Sequence, residues 1–328
     1  MNEHNGHSMT ALNIDYPAAF VVNGKGNSIS VIRLFDNSVS ETISLNGATF
    51  PHHIYFNPAK TKFAVAITNA DLSAGHNGHS GAIAGVKVQI IDAITGNIDK
   101  EIGLSKMPHN AVYNTSGTEL WIPQSDSLQG TVLIFNTSDW TLQKTINVGK
   151  MPSEVTFSFN GSMVYVANTM DGTISIIDPI SKLVTKTIVV GMGPVGAWPA
   201  ANGKMYVDNE SDQSVSEIDV ITGMVTSTFN LGFKPGYVSY NSKLSELWVS
   251  DATNGKIVYY KNIAGTWTST GSIPTGSDAH AIIFSSDENK AYITNQGANT
   301  VTLVDVVNHL TIRDIAVGSA PNGIIIKD

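Results

Sequence analysis

Apolar and polar positions alternate along this chain in short runs of five to seven residues, each broken by a Gly-, Asn- or Asp-rich turn. The pattern reads strand, polar turn, strand ending in Asn or Asp, second turn, and apolar strand often closed by Asp. It recurs as FVVNGKGNSISVIRL, FAVAITN followed by VKVQIID, LWIPQSDSLQGTVLIFN, VYVANTMDGTISIID, MYVDNESDQSVSEID, LWVSDATNGKIVYYK and AYITNQGANTVTLVD. Runs this short, rich in Val, Ile, Thr and Tyr and bounded by turn residues, predict strands rather than helices. A turn opens each following unit: FPHH, MPHN, MPSE, GPVG, KPGY, DAHA and APNG. Aligning these turns puts His52, His109, Ser153, Val195, Gly236, His280 and Asn322 in one column, at steps of 57, 44, 42, 41, 44 and 42 residues.

A repeat of about 40–45 residues with four strands per unit predicts the blades of a β-propeller. The chain ends on APNGIIIKD, a first strand without successors, and opens near Pro17 on a second strand without a first. Pairing the two removes the open sheet edge that would otherwise invite aggregation. The expectation is an all-β, seven-bladed propeller of four-stranded antiparallel blades, closed by its own terminal strands. Residues 1–16 read as a flexible tail containing histidines, and 17–328 as a single domain.

The repeats, VYVANTMDGTISIID and AYITNQGANTVTLVD above all, resemble the YVTN family of β-propeller proteins over nearly the whole span from Pro17 to Asp328. That resemblance implies the fold. For function it implies surface-layer and exported proteins as well as enzyme domains. Seven-bladed relatives with chemistry include the propeller domains of nitrous oxide reductase, cytochrome d1 nitrite reductase and thiocyanate dehydrogenase; in the first and third, histidines at the channel mouth hold copper. Fold alone does not carry an activity across.

Composition narrows the choices. A formal charge of −8 argues against nucleic acid or an anionic membrane as partner. No apolar run is long enough to span a bilayer. Cysteine is absent, which excludes disulfides, thiolate metal sites and a thiol nucleophile, and suits an oxidising compartment. The segment MNEHNGHSMTALNIDYP has neither a basic start nor an apolar core, so no signal peptide is visible. The family resemblance favours export, and a periplasmic or secreted monomer is the expectation.

The nine histidines carry the chemistry. Residues of one repeat column ring one mouth of a propeller's channel, so His280, Asn322, His52 and His109 belong to successive blades and three imidazoles share an arc. His53 points to the other face of a regular strand, and inward only if its entry turn is irregular. Blade 2 also carries an insertion: Asn69 to Val88 spans 19 positions where Asn168 to Ile174 spans 6. It reads ADLSAGHNGHSGAIAG, emerges on the face of the entry turns, and brings His76 and His79 toward the same mouth. Its HNGHS recurs at His4–Ser8. The expected metal ligands are therefore His52, His53, His109 and His280, with His76 and His79 from the loop. Imidazole-rich, thiol-free sites suit copper first, with zinc possible. No acidic residue stands in the column, although Glu154 lies one position beside it.

Three readings follow. One is an exported copper-binding propeller, with a metal ion or small molecule at the mouth and, if an enzyme, a copper-dependent oxidoreductase. The second is a non-catalytic surface-layer or adhesion scaffold whose blade loops bind a protein or glycan. The third is a lactonase-like hydrolase or lyase, which wants acidic ligands at the mouth. Asn23, Asn69, Asn168, Asn209, Asp251 and Asn295 recur at second-strand ends and read as turn residues bonding nearby backbone. Trp198, in a channel strand where other blades carry smaller residues, reads as a plug. His309 sits in an outer turn where a solvated role suffices.

Overall fold

The computed structural model describes residues 12–73 and 84–328. Seven four-stranded antiparallel sheets stand around a central axis, each strand pairing with its neighbour in sequence. Blade 1 is assembled from both ends of the chain: Pro321–Lys327 pairs with Ala18–Asn23, followed by Ser28–Arg33 and Ser38–Ser44. Closure by the termini is as the repeat predicts. Ahead of Pro17, the Ile14 side chain is fully buried among residues of blades 1 and 2, and its backbone N–H donates to the Ile94 carbonyl at 2.8 Å.

The innermost strands line the channel: Pro321–Lys327 in blade 1, Pro51–Phe56 in blade 2, Val112–Tyr113 in blade 3, Pro152–Phe157 in blade 4, Pro194–Pro199 in blade 5, Pro235–Asn241 in blade 6 and Ala279–Phe284 in blade 7. Six of these strands slip register at the same place. The shift lies between His52 and Ile54, Pro152 and Val155, Pro194 and Ala197, Pro235 and Val238, and Ala279 and Ile282, and opposite Asn23 in blade 1. A bulge places two residues against one on the partner strand, so the alternation of faces breaks there. Blade 3 reaches a similar end differently: pairing starts only at Val112, and the Asn110 side-chain amide exchanges hydrogen bonds with the Val155 backbone of blade 4 at 2.8 and 3.2 Å.

Packing between blades is aromatic and aliphatic, with Trp121, Trp248, Tyr165, Tyr206 and Tyr292 almost fully buried. Of the recurrent residues at second-strand ends, Asn69 and Asp251 bond backbone groups as expected, and four asparagines bond side chains instead. Each amide of Asn23, Asn168, Asn209 and Asn295 donates to two hydroxyls of the third strand, five and seven residues on, at 2.8–3.1 Å. A glycine leading to the next blade lies against each of these asparagines. A Cβ on Gly149, Gly191, Gly276 or Gly318 would come within 2.8 Å of the asparagine side chain. His309 also departs from the solvated reading. Its Nε2 lies 2.8 Å from Glu246 Oε2 and its ring stacks on Tyr259 at 4.1 Å, tying the outer turn of blade 7 to blade 6.

Candidate metal centre

The bulge decides which side chains meet at the axis. In blade 2 it turns His53 inward beside His52, their ring centroids 4.3 Å apart. In blade 4 it brings in Glu154, the residue after the column position. Glu154 is fully buried and its Oε1 contacts His109 Nδ1; His53 Nε2 lies 3.8 Å from the same oxygen. One ligand atom from each of His52, His53, His109 and Glu154 can be chosen so that all lie within 4.8 Å of one another, and all four residues are buried. Three neighbouring blades thus converge on one point.

Hydrogen bonds orient the rings. His52 Nδ1 lies 3.3 Å from the His109 carbonyl, and His280 Nδ1 lies 3.3 Å from the Asn322 carbonyl, each reaching to the column residue of the next blade. Only a protonated nitrogen can donate to a carbonyl, so in the neutral tautomer that makes these bonds the lone pair is on Nε2. His109 instead presents Nδ1 to a carboxylate, the arrangement that commonly holds a metal-ligating imidazole in position. Tyr55 donates its hydroxyl to Glu154 Oε2 at 3.1 Å.

Burial pushes the Glu154 carboxyl well above its ordinary pKa, and the nearby Asp208 charge adds to the shift; the Tyr55 and Asn110 hydrogen bonds oppose it. A carboxylate in this position is stable only when a positive charge compensates it. Three imidazoles and one carboxylate, with no thiolate, fit zinc or copper. Bonds of about 2.0–2.2 Å put ligand pairs of a tetrahedral site roughly 3.3–3.6 Å apart.

His280 stands at the edge of this group, outside the four that converge, its ring centroid 6.3 Å from that of His52 and 5.8 Å from that of His53. His76 and His79 lie outside the described residues, as does the tail motif. The start of their loop is placed over the mouth. Leu72 packs on Val86 and Met107, Leu72 and Ser73 line small clefts beside His52 and His280, and Asp71 pairs with Lys25 at 3.2 Å.

Below the histidines the channel turns aromatic. Trp198 and Tyr237 pack at 3.9 Å, with His53 nearly parallel to both at 6.2 and 6.4 Å. The indole is held by Asp208, its Nε1 donating to Oδ1 at 2.8 Å, and it lines the cavity below the histidines. Glu154 and Asp208 are the functional candidates that strict alternation hides. The spacing of the entry turns holds no mark of the extra residue, and only the adjacency of Glu154 to the column hinted at its place.

The molecule is thus a seven-bladed propeller with a buried histidine–carboxylate cluster at one end of its channel. Its structure is similar to that of Pseudomonas aeruginosa periplasmic gluconolactonase PpgL, with a TM-score of 0.74 and 15% identity over 95% of this chain and 99% of that one. It is also similar to a chain of Kuenenia stuttgartiensis hydrazine synthase, with a TM-score of 0.69 and 18% identity over 83% and 88% of the two chains. A third similar structure is the dihydro-heme d1 dehydrogenase NirN, with a TM-score of 0.65 and 11% identity over 96% and 77%. At these identities the likeness establishes the fold alone. No family model matches the chain, and no curated protein matches it.

Proposed function

We propose that the protein is an exported metal-binding propeller whose ion sits at the convergence of His52, His53, His109 and Glu154. The observation that carries this reading is the buried carboxylate set among three imidazoles from adjacent blades. Without a cation that carboxyl takes up a proton; with one, its charge is matched and the imidazole lone pairs are used. Copper is the first choice, since it stands highest in the affinity order for nitrogen and oxygen ligands, and zinc is the second. His280 bounds the site on the blade 7 side. Export is supported by the absence of cysteine and by the periplasmic description of the similar gluconolactonase. A bound copper ion would supply one-electron chemistry to a small molecule entering the channel.

Elemental analysis of protein purified without a nickel column tests the reading. One copper or zinc per chain, or uptake of one equivalent on addition, is the expected result. A protein that holds neither metal and takes up neither would leave the scaffold reading in its place.

A further inference from the structure

The opposite end of the channel is built unlike the histidine end, and the two meet at His53. A cavity of about 270 Å³ runs from His53 and Tyr237 toward the far ends of the innermost strands of blades 1, 2, 5, 6 and 7. Trp198 and Tyr237 form one side, and Ile283 and Ile325 contribute to its aliphatic wall. Polar groups are few: the His53 ring and Tyr55 at the inner end, and Ser239 along the side. Ligand sites are typically concave and mostly apolar, with a small number of placed polar groups.

Two details keep this space open. A Cβ at Gly196 would lie 2.3 Å from Trp198 Cζ2, so only glycine there lets the indole fold back against its own strand. Asp208, on the neighbouring strand, then accepts hydrogen bonds from the indole Nε1 at 2.8 Å and from the Gly196 N–H at 3.0 Å. The largest side chain of the channel wall is held aside by two residues whose only contacts of this kind are with it and its strand.

The shape and charge of the space select a ligand class. His53, Trp198 and Tyr237 lie within 35° of parallel to one another, which suits a flat ring. Its volume lies just below the roughly 300 Å³ at which ordinary ligand pockets begin, and so admits a single-ring molecule. The lining is mostly apolar and holds no lysine or arginine, so an anion would be stripped of water without a cationic partner. We infer that this end of the channel binds a small uncharged aromatic molecule of the phenol class, its ring against Trp198 and Tyr237 and its hydroxyl toward His53. The inference goes beyond metal binding and does not require it.

The test is a fluorine NMR titration of 4-fluorophenol into the full chain, with metal content and thermal melting measured on the same samples. Wild type should broaden and shift the fluorine signal with a dissociation constant in the millimolar range or tighter, with or without zinc. Ile283→Trp, which fills the cavity, should weaken binding at least tenfold while leaving metal content unchanged. Val195→Ala, in the entry-turn column and outside the cavity lining, should bind as wild type does. Anionic 4-fluorobenzoate should bind wild type at least tenfold more weakly than the phenol. Should Ile283→Trp fail to fold, Ser239→Leu occupies the same space with a smaller change. Absence of 4-fluorophenol binding to folded wild type up to its solubility limit would overturn the inference, as would equal binding by a folded cavity-filling variant or equal binding of the benzoate. Because metal is measured in parallel, a metal-free protein that binds the phenol overturns the metal reading alone.

Discussion

The two sides of the channel wall share a backbone and differ in what it displays. Blades 2 and 4 pass through the bulge as Pro51-His52-His53 and Pro152-Ser153-Glu154, while blades 5 and 6 pass through it as Pro194-Val195-Gly196 and Pro235-Gly236-Tyr237. One side gathers imidazoles and a carboxylate. The other gathers aliphatic, glycine and aromatic residues around a cavity. Two residue choices per blade separate the sides. The common bulge is the device, and it doubles the number of side chains that each blade can offer to the axis.

The comparison breaks most completely if the ring opens. Deleting residues 320–328 removes the innermost strand of blade 1, in which Ile324, Ile325 and Ile326 are buried. Three such side chains are worth roughly 5–9 kcal/mol, comparable with the whole stability of a typical domain. The expected outcome is loss of cooperative melting or of soluble protein, read by thermal denaturation. An unchanged melting temperature would remove terminal closure from the account.

Gly323→Ala sharpens the comparison at the seam between blades 1 and 2. Its Cβ would lie 2.8 Å from His53 Cα and 3.2 Å from the Ile54 amide nitrogen, so the bulge carrying His53 must shift. Metal affinity should fall about tenfold, the range seen when supporting residues of a metal site are disturbed, with a smaller change in melting temperature. Calorimetric titration with copper or zinc reads this directly.

The aromatic side answers to pH through Asp208. Burial, followed by the Glu210 charge, holds its carboxyl well above the ordinary value, against hydrogen bonds from Trp198 and Gly196. A group whose folded pKa is raised contributes stability below its unfolded pKa of about 3.9, and that contribution is lost as pH rises through the folded value. Metal-free wild type should therefore lose melting temperature as pH rises from 4 into the neutral range. Asp208→Asn keeps an acceptor for the indole and removes the ionisation. It should flatten this dependence and raise the melting temperature at the upper end by a few degrees. Parallel curves for the two proteins would show that Asp208 ionises in the fold as it does in the unfolded chain, and would contradict the raised pKa.

The fold was legible because a propeller repeats its local chemistry: strand alternation, turn residues and the unpaired strands at the two ends each pointed to the same closed ring. His52 and His109 were legible for the same reason, as equivalents in one column. His53 was legible only on the condition of an irregular entry turn, which the bulge supplies; Glu154 was not, because side-chain direction in a strand is inferred from strict alternation and no turn motif announces the extra residue. Four of the recurrent asparagines were misassigned through locality. Their amides look like turn caps in sequence, but their partners are hydroxyls on the paired strand, brought opposite only by the hairpin register.

The central claim is that the bulge adds His53 and Glu154, each one residue past the column, to His52 and His109, and leaves His280 outside the ligand set. Calorimetric titration of copper into His53→Ala, Glu154→Ala and His280→Ala, beside wild type, tests it most directly. The first two should weaken binding by roughly 100-fold or more, since each loses a converging group, and the third by about tenfold or less. The opposite ranking, with His280→Ala abolishing binding and the other two near wild type, would place the ion on the column ring and contradict the account.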